Sequence, residues 1–335
     1  MPILFKDHTA AELSVQLNVP LRLARRLQSH VVRKGAAELP HELPEVSPKV
    51  LARLRDEIQV PHLTLLEKVV SPRDGFAKYL FRGQGDEPFE TVRIPLLHRD
   101  DDPKYVVCVS SQVGCALACA FCATGRMGFR RNLETWEIVD QVVKVQAESE
   151  HPVRGVVFMG MGEPLLNYDR VMRAAAIFSE PCGLAIGAKS ISISTAGVVP
   201  GIRRFTAEQR PYRLVVSLTS ADPDKRRELM PIENTYPLPE LMAAVREHQA
   251  ATGTRSMLAW TAISGVNTST EDARQLAELT AGLPIKLDLI DVNDATGQFQ
   301  PPSESELASF RDALRENLAM PVVRRRGLVL SLEEV

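Results

Sequence analysis

Four of the five cysteines of this 335-residue chain fall within one short segment. Cys115, Cys119 and Cys122 have the spacing C-x3-C-x2-C, with Cys108 before them and Cys182 far away in the chain. Three closely spaced thiolates can bind three irons of a 4Fe–4S cube and leave the fourth iron open to a small molecule. The spacing therefore favours an iron–sulfur cluster with one open coordination position.

Two other interpretations of these cysteines stay open. Zinc also binds thiolates, but a structural zinc site normally has four protein ligands. No His or Cys downstream lies at a zinc-finger spacing, and Cys108 would supply a fourth thiolate at an unusual offset. The remaining alternative is a set of buried cysteines without a metal.

A second segment with chemical potential is Gly160-Met-Gly-Glu-Pro164, which follows an apolar stretch. Glycines let a backbone approach a ligand closely, and the Glu163 carboxylate can accept charge-assisted hydrogen bonds from an ammonium group. Taken alone, the segment is equally typical of a plain glycine-rich turn.

Short apolar strands alternate with helices from Tyr105 onward, which is typical of βα units and a parallel sheet. The predicted strands are 105–110, 155–160, 190–195, 213–219, 257–264 and 285–291. The predicted helices are 134–149, 167–179, 237–252, 269–282 and 303–318. Six such units are too few for a closed eight-stranded barrel, so the fold class is α/β with a partial (βα)6 barrel. Ligand sites in such folds lie at the carboxyl ends of the strands, where Ser194 and Ser217 fall.

The chain before this barrel divides into two smaller segments. Residues 1–60 are predicted as a small helical domain, with a capping box at Thr9 and Glu12 and helices over 20–34 and 47–58. Residues 61–100 are predicted as a β-hairpin linker with strands at 78–82 and 90–94. The barrel then occupies 101–335.

The composition excludes several classes of protein. With 44% hydrophobic and 24% charged residues, the chain is not disordered, collagen-like or a coiled coil. We find no membrane span and no secretory signal, so we expect a cytoplasmic protein with reduced thiols that does not bind membranes. A net charge of −2 does not favour a nucleic-acid partner, and it does not exclude one that binds a local basic face.

Several motifs together resemble the RlmN/Cfr family of radical S-adenosylmethionine (SAM) RNA adenine methyltransferases. They are Glu90-Thr-Val-Arg-Ile-Pro95, Cys108-Val-Ser-Ser-Gln-Val-Gly114, the C-x3-C-x2-C cysteines, Gly128-Phe-Arg-Arg-Asn-Leu133, Met159-Gly-Met-Gly-Glu-Pro-Leu-Leu-Asn167, Ser194-Thr-Ala-Gly-Val-Val-Pro200 and Pro231-Ile232. The resemblance extends from about residue 10 to Arg326.

The resemblance implies a radical-SAM barrel whose cofactors are a 4Fe–4S cluster and SAM, which binds the open iron. It assigns the cluster to Cys115, Cys119 and Cys122. It assigns SAM binding to Gly162, Glu163, Ser194, Ser217, Leu218, Thr219 and Asn293. It also makes Glu90 a proton acceptor and Cys108 the thiolate that resolves a covalent protein–RNA intermediate, and it implies a disulfide bond. Without the resemblance, Glu90 is a strand-edge carboxylate, Cys108 a small strand hydrophobe and the serines strand-end caps.

The resemblance also implies partners: ribosomal or transfer RNA and a flavodoxin- or ferredoxin-type reductant. We expect a monomer. Arg22, Arg25, Arg26 and Arg33 share one face of a predicted helix, which suits either phosphate binding or a solvated surface. Arg126, Arg130 and Arg131 follow the cysteines, which is compatible with a basic path to the active site.

The chain departs from the family pattern at residues that the family uses for methyl transfer. The family carries a second redox cysteine near the C-terminus as methyl carrier, but residues 323–335 contain no cysteine, and the carrier position falls near Glu334. Thr219 stands where the family usually has His.

Three hypotheses follow from these departures. The first is an RNA adenine methyltransferase whose carrier is replaced, with Cys182 as the only other cysteine for that role. The second is a radical-SAM enzyme that cleaves SAM reductively but catalyses another reaction. The third is a non-catalytic RNA-binding protein, against which the intact cluster motif argues. We take the first as the family assignment.

Overall fold

The computed structural model describes residues 2–96, 103–294 and 296–318, together with the backbone of 322–325. Its strands are β1 Ile3–Leu4, β2 Ile58–Gln59, β3 Thr64–Val70, β4 Ala77–Arg82, β5 Phe89–Leu96, β6 Lys104–Cys108, β7 Gln112–Val113, β8 Arg131–Asn132, β9 Val153–Phe158, β10 Ile191–Thr195, β11 Arg213–Ser217, β12 Ser256–Ala262, β13 Ile285–Asp291 and β14 Val322–Arg325. Its helices are α1 Ala10–Gln16, α2 Leu21–Gln28, α3 Pro48–Glu57, α4 Ala123–Arg126, α5 Thr135–Ala147, α6 Tyr168–Ser179, α7 Val199–Ala207, α8 Pro223–Leu229, α9 Leu238–Thr252, α10 Thr270–Leu279 and α11 Glu304–Asn317.

The chain forms two compact units. Unit 1 comprises Met1–Val113, Arg131–Met161 and Asn167–Ile191, and unit 2 comprises Gly114–Arg130, Gly162–Leu166 and Ser192–Val335, as far as these ranges are described. The division into segments 1–60, 61–100 and 101–335 stays a prediction.

Unit 1 contains the helices α1 to α3, which precede a mixed sheet in the chain. In this sheet β3, β4, β5 and β6 pair in antiparallel fashion, and β6 pairs with β9 in parallel. The predicted capping box is confirmed, since Glu12 N–H donates to Thr9 Oγ1 and Thr9 N–H donates to Glu12 Oε2. The predicted hairpin is β4–β5, but it has a third strand, β3, which the sequence analysis did not predict. Most of β3 is exposed, so it lacks the apolar–polar alternation of a half-buried strand.

Unit 2 contains a parallel sheet in the order β10, β11, β12, β13, β14. Strands β6, β9 and β10 to β13 correspond to the six predicted parallel strands, and α5, α6, α9, α10 and α11 to the five predicted helices. Helices α7 and α8 were not predicted from the sequence. Helix α7 has Pro200 and Gly201 in its first turn, and these residue types usually indicate a turn and not the start of a helix. Helix α8 is short and charged, so its sequence shows little apolar periodicity.

The predicted helix over 20–34 has a different ending. The α-helix α2 stops at Gln28, and the chain continues as a π-helical turn over Ser29–Arg33. No helix among the residues described combines the length and the apolar character that crossing a bilayer requires.

A buried ion pair fastens the amino-terminal segment of unit 1 to α5. Lys6 Nζ lies 2.5 Å from Asp140 Oδ1, and both side chains are fully buried. The same ammonium donates to the Pro61 carbonyl at 2.9 Å, and Asp140 Oδ2 accepts from the Leu63 N–H at 2.7 Å. The Lys6–Asp140 ion pair therefore joins three parts of unit 1: the amino-terminal segment, residues 61–63 and helix α5.

Replacing Lys6 by Met is expected to destabilise the protein by about 3–5 kcal/mol, because the Asp140 carboxylate is left buried without its cation. The matched control is Lys68→Met, since Lys68 pairs with Glu148 at 2.8 Å where both side chains are about one-third exposed. That substitution should cost about 1 kcal/mol or less. Urea unfolding followed by circular dichroism measures both changes. Equal losses in the two variants would contradict a special role for the buried pair.

Candidate active site

The Glu163 carboxylate is buried in unit 2, in the turn that follows β9 in the chain. Its Oε1 accepts a hydrogen bond from the Leu165 N–H at 3.0 Å, and its Oε2 accepts one from the Ala196 N–H at 2.8 Å. The Thr195 hydroxyl donates a third. Burial nevertheless raises the pKa of Glu163 to about 7. The carboxyl group is thus held in one orientation and changes its charge near neutral pH.

The two glycines before Glu163 are required for different reasons. A side chain on Gly160 would place its Cβ 2.8 Å from the Val109 carbonyl oxygen, so this glycine lets two neighbouring segments of unit 1 approach each other. Gly162 has φ +97°, a conformation that other residues rarely adopt. Between them, Met161 N–H donates to Ser110 Oγ at 2.9 Å. The turn therefore has one defined backbone path.

Cys115, Cys119 and Cys122 are free, half-buried thiols in unit 2. Burial, together with the nearby thiols of Cys122 and Cys115, raises the pKa of Cys119 to about 12, so the three thiols lie near one another. Among the described residues, no three His, Cys, Asp or Glu side chains are placed to bind a single metal ion. A 4Fe–4S cube binds each thiolate through a different iron, so its ligands need not converge on one point.

Close backbone contacts shape the loop that carries these thiols. A Cβ on Gly125 would lie 2.9 Å from the Cys119 nitrogen and 3.0 Å from its oxygen. A Cβ on Gly114 would lie 1.7 Å from the Gly128 oxygen. The Ala120 N–H donates to the Leu229 carbonyl at the end of α8, at 2.9 Å. The loop is therefore fixed at its start, its middle and its end.

The predicted SAM residues on the parallel strands of unit 2 lie at carboxyl ends, as expected. Ser194 is near the end of β10, Ser217 ends β11, and the Leu218 N–H donates to the Ala259 carbonyl of β12 at 2.9 Å. The exposed residue Asn293 follows β13. These positions agree with the rule that open parallel sheets bind ligands at this edge.

Thr219 has an unusual environment. It is fully buried, and its φ of +60° is strained for a β-branched residue. Its carbonyl accepts a hydrogen bond from Asn267 Nδ2 at 2.7 Å, but its buried Oγ1 has no partner in the described part of the chain. A buried hydroxyl without a partner costs free energy, so this one, next to the carboxyl end of β11, is chemically suited to a polar ligand atom.

Asp294, next to Asn293, connects the end of β13 to the helix after the cysteines. Its carboxylate pairs with the Arg126 guanidinium of α4 and accepts from Thr296 and Phe299. Burial alone would raise the pKa of Asp294, but the hydrogen bonds from Arg126 and Thr296 lower it to about 2. The pair therefore stays ionised at neutral pH.

Glu90 and Cys108, the predicted catalytic residues, come together in unit 1. Strand β5 pairs with β6 so that Val92 lies opposite Cys108. Glu90 is two residues from Val92, so its side chain and that of Cys108 project from the same face of the sheet at a diagonal position. The Ser110 hydroxyl donates to the Glu90 carbonyl at 2.5 Å, and Lys78 Nζ lies 3.5 Å from Glu90 Oε1.

The expected disulfide bond is not formed. All five cysteines are free thiols. Burial raises the pKa of Cys108 to about 12, which keeps this thiol protonated at neutral pH. Cys182 lies in the loop between α6 and β10, which enters β10 at its amino end. Within unit 1, Cys182 thus follows α6, whereas Cys108 ends β6.

Sequence reasoning missed the residues that support Glu163. Ala196 and Leu165 contribute only backbone N–H groups, which no side-chain pattern reveals. Arg226 is fully buried and pairs with Glu233 at 2.6 Å, but in the sequence it is one charge in the charged stretch Asp222–Glu228. Its donor contact with Ala196 is visible only in the folded chain.

Comparisons with known proteins agree with this geometry. The Radical SAM superfamily matches residues 109–279. A "Probable RNA methyltransferase" of Myxococcus xanthus is 52% identical over 84% of this chain and 77% of its own length. A "Dual-specificity RNA methyltransferase RlmN" of Syntrophobacter fumaroxidans is 40% identical over 97% of this chain and 94% of its own length. The crystal structure of a radical SAM methyltransferase from Sphaerobacter thermophilus superposes with a TM-score of 0.88, at 35% identity, over 97% of this chain and 95% of its own.

The chain belongs to the RlmN-like methyltransferases of the radical SAM superfamily. The predicted family and the radical-SAM α/β fold are thereby confirmed. The cofactors of this family are a 4Fe–4S cluster and SAM.

The residues present fit both groups. Three adjacent thiols match three irons of a cube whose fourth iron is open. The buried carboxyl group of Glu163 and the unpartnered hydroxyl of Thr219 match a ligand that carries an ammonium group and other polar atoms.

Replacing Gly125 by Ala is expected to reduce the iron bound per protein severalfold, because the new methyl group collides with the Cys119 backbone. Gly187→Ala is the control, since a Cβ there meets nothing within 4 Å. Iron and sulfide analysis after anaerobic reconstitution measures the effect. Full iron content in Gly125→Ala would show that the loop can relax without losing the cluster.

The pKa of Glu163 predicts how the stability of the cluster-free protein depends on pH. Because folding raises this pKa from 4.5 to about 7, its contribution to stability is full below pH 4.5 and is lost as the pH rises through 7. Between pH 5 and pH 8 the protein should lose about 3 kcal/mol more than the Glu163→Gln variant does. Denaturant unfolding of both proteins across this range measures the difference. Parallel pH profiles would contradict the assignment.

Proposed function

We propose that the protein methylates an adenine base of ribosomal or transfer RNA, using SAM and a 4Fe–4S cluster. The main observation behind this proposal lies in unit 2, where the hydrogen-bonded carboxyl group of Glu163 is near the loop with the three cysteines. The relatives are named RNA methyltransferases, which supports RNA as the substrate.

Each predicted residue has a role that its position supports. Cys115, Cys119 and Cys122 hold the cluster, and when bound this cluster supplies the electron that cleaves SAM. Ionised Glu163 accepts hydrogen bonds from the SAM ammonium. The other proposed SAM contacts are Gly162, Ser194, Ser217, Leu218, Thr219 and Asn293.

The residues on the β5–β6 face of unit 1 would act on the RNA. Glu90 accepts a proton, and Cys108 supplies the thiolate that resolves a covalent intermediate. Because burial keeps the Cys108 thiol neutral, it must lose its proton before it can react. A flavodoxin- or ferredoxin-type protein supplies the electrons, and the enzyme acts as a monomer in the cytoplasm.

The methyl carrier of this mechanism differs from that of the family. The carrier position near Glu334 lies outside the described residues, and the sequence has no cysteine there. Cys182 does not suit this role, because it follows α6, whereas Cys108 ends β6 at its carboxyl end. The absence of that cysteine is the observation that favours the second candidate, reductive SAM cleavage coupled to a different reaction.

The decisive experiment is an anaerobic assay with reconstituted protein, reductant, methyl-labelled SAM and unmodified total RNA. We expect labelled methyladenine in the RNA together with 5′-deoxyadenosine, and the same label with Cys182→Ala. The Cys115→Ala variant should lose the visible absorbance of the cluster and both products. Formation of 5′-deoxyadenosine without label in RNA would favour the second candidate.

A basic pocket in unit 1 suits the phosphates of the RNA. It encloses about 380 Å³ and is lined by Arg22, Arg25, Arg26 and Arg33, with Cys182 at its wall and no acidic residue. Arg22 pairs with Glu45 and Arg26 donates to the Pro44 carbonyl. Arg25 and Arg33 are exposed and form no ion pair with the described carboxylates, so their charge is available to an anion.

The double variant Arg25→Gln/Arg33→Gln should bind RNA more weakly. The slope of log affinity against log salt should fall in magnitude by about 1.5–2, since two phosphate contacts are lost. The control is Arg255→Gln/Arg315→Gln, which makes the same change of charge at exposed sites. Fluorescence anisotropy at several salt concentrations gives both slopes. Identical slopes would place the pocket arginines on a merely solvated surface.

A further inference from the structure

Helix α8 of unit 2 contacts both parts of the proposed cofactor site. The carbonyl of Leu229, its last residue, accepts from the Ala120 N–H at 2.9 Å, between Cys119 and Cys122 in the chain. One turn earlier, Arg226 Nη2 donates to the Ala196 carbonyl at 2.8 Å. The same helix therefore holds the cysteine loop and the segment that supports Glu163.

Ala196 links Arg226 to Glu163 through two backbone hydrogen bonds. Its carbonyl accepts from Arg226, and its N–H donates to Glu163 Oε2 at 2.8 Å. The next residue, Gly197, has φ +116°, and a Cβ there would lie 3.4 Å from Arg226 Nη2. The guanidinium thus packs directly against this backbone, and removing Arg226 would leave the Ala196 carbonyl without this donor.

Arg226 itself is held rigidly. Its side chain is fully buried, and Nη1 donates to Glu233 Oε2 at 2.6 Å. Glu233 is also fixed, since its Oε1 accepts from the Leu238 N–H at 2.9 Å at the start of α9. Burying an ion pair costs desolvation free energy, so a gain in stability is a weak explanation for a pair at this position. A role in positioning explains why the pair lies here.

We propose that Arg226 is a positioning residue that orients Glu163 toward the ammonium group of SAM through the Ala196 backbone. This inference rests on the proposed function, in which Glu163 binds that ammonium. Because its hydrogen bonds go to Glu233 and the Ala196 carbonyl, we expect Arg226 to act on SAM affinity through Glu163.

The test compares two ligands of the reconstituted holoprotein by equilibrium dialysis: SAM and 5′-methylthioadenosine, which lacks the amino-acid portion. The main variant is Arg226→Met/Glu233→Gln, which leaves no lone buried charge and keeps an oxygen to accept from the Leu238 N–H. We expect SAM to bind on the order of tenfold more weakly, while the affinity for 5′-methylthioadenosine changes by about twofold or less.

A second variant tests whether the loss of SAM affinity results from a folding defect. Arg226→Lys keeps a cation next to Glu233 but cannot reach both Glu233 and Ala196 in the arginine geometry, so it should show the same selective loss. The control is Arg203→Gln, which removes a guanidinium that pairs with Glu247 at 3.0 Å on the surface of unit 2. The control should bind both ligands as the unmodified protein does.

Each outcome decides the question. Equal losses for both ligands, no loss for either, or loss of bound iron in folded variants would overturn the positioning role, and the last result would make Arg226 a support of the cysteine loop. Failure of the unmodified holoprotein to bind SAM would instead overturn the proposed function.

Discussion

The burial of one carboxyl group, that of Glu163, is the constraint on which the rest of the site depends. A carboxylate removed from water is costly unless donors surround it. Unit 2 supplies the N–H groups of Leu165 and Ala196 and the hydroxyl of Thr195. These donors come from two separate turns, so the carboxyl group holds together two chain segments of the proposed SAM site. Its pKa near 7 leaves it ready to ionise when a cation arrives.

The cysteine loop meets a different requirement. Three thiols must be brought together without pairing with one another and without a fourth ligand. Close backbone contacts at Gly114 and Gly125 give the loop its shape, and the hydrogen bond from Ala120 to Leu229 attaches it to α8. These backbone contacts give the loop a defined form within unit 2.

The departures from the family pattern affect only one part of this arrangement. Thr219 replaces the usual His, yet its strained backbone and unpartnered hydroxyl keep it suited to a ligand contact. The cluster loop and the Glu163 cradle are complete. In the proposed mechanism, the missing carrier cysteine bears on the fate of the methyl group and not on the binding of SAM.

The sequence by itself determined the spacing of the three cysteines, the alternation of strands and helices, and the places where Ser194, Ser217 and Glu163 follow apolar strands. These features are local, because they depend on periodicity and on neighbours in the chain. Helices α7 and α8 and strand β3 escaped prediction, since proline, charge and exposure conceal their patterns.

Only the tertiary structure decided which groups support the site. The contact of Arg226 with Ala196, the pairing of Arg126 with Asp294 and the placement of Glu90 beside Cys108 join residues that are distant in the chain. A buried arginine and a solvated one have the same letter in a sequence. What separates them is the low-polarity surroundings and the fixed partners that folding alone provides.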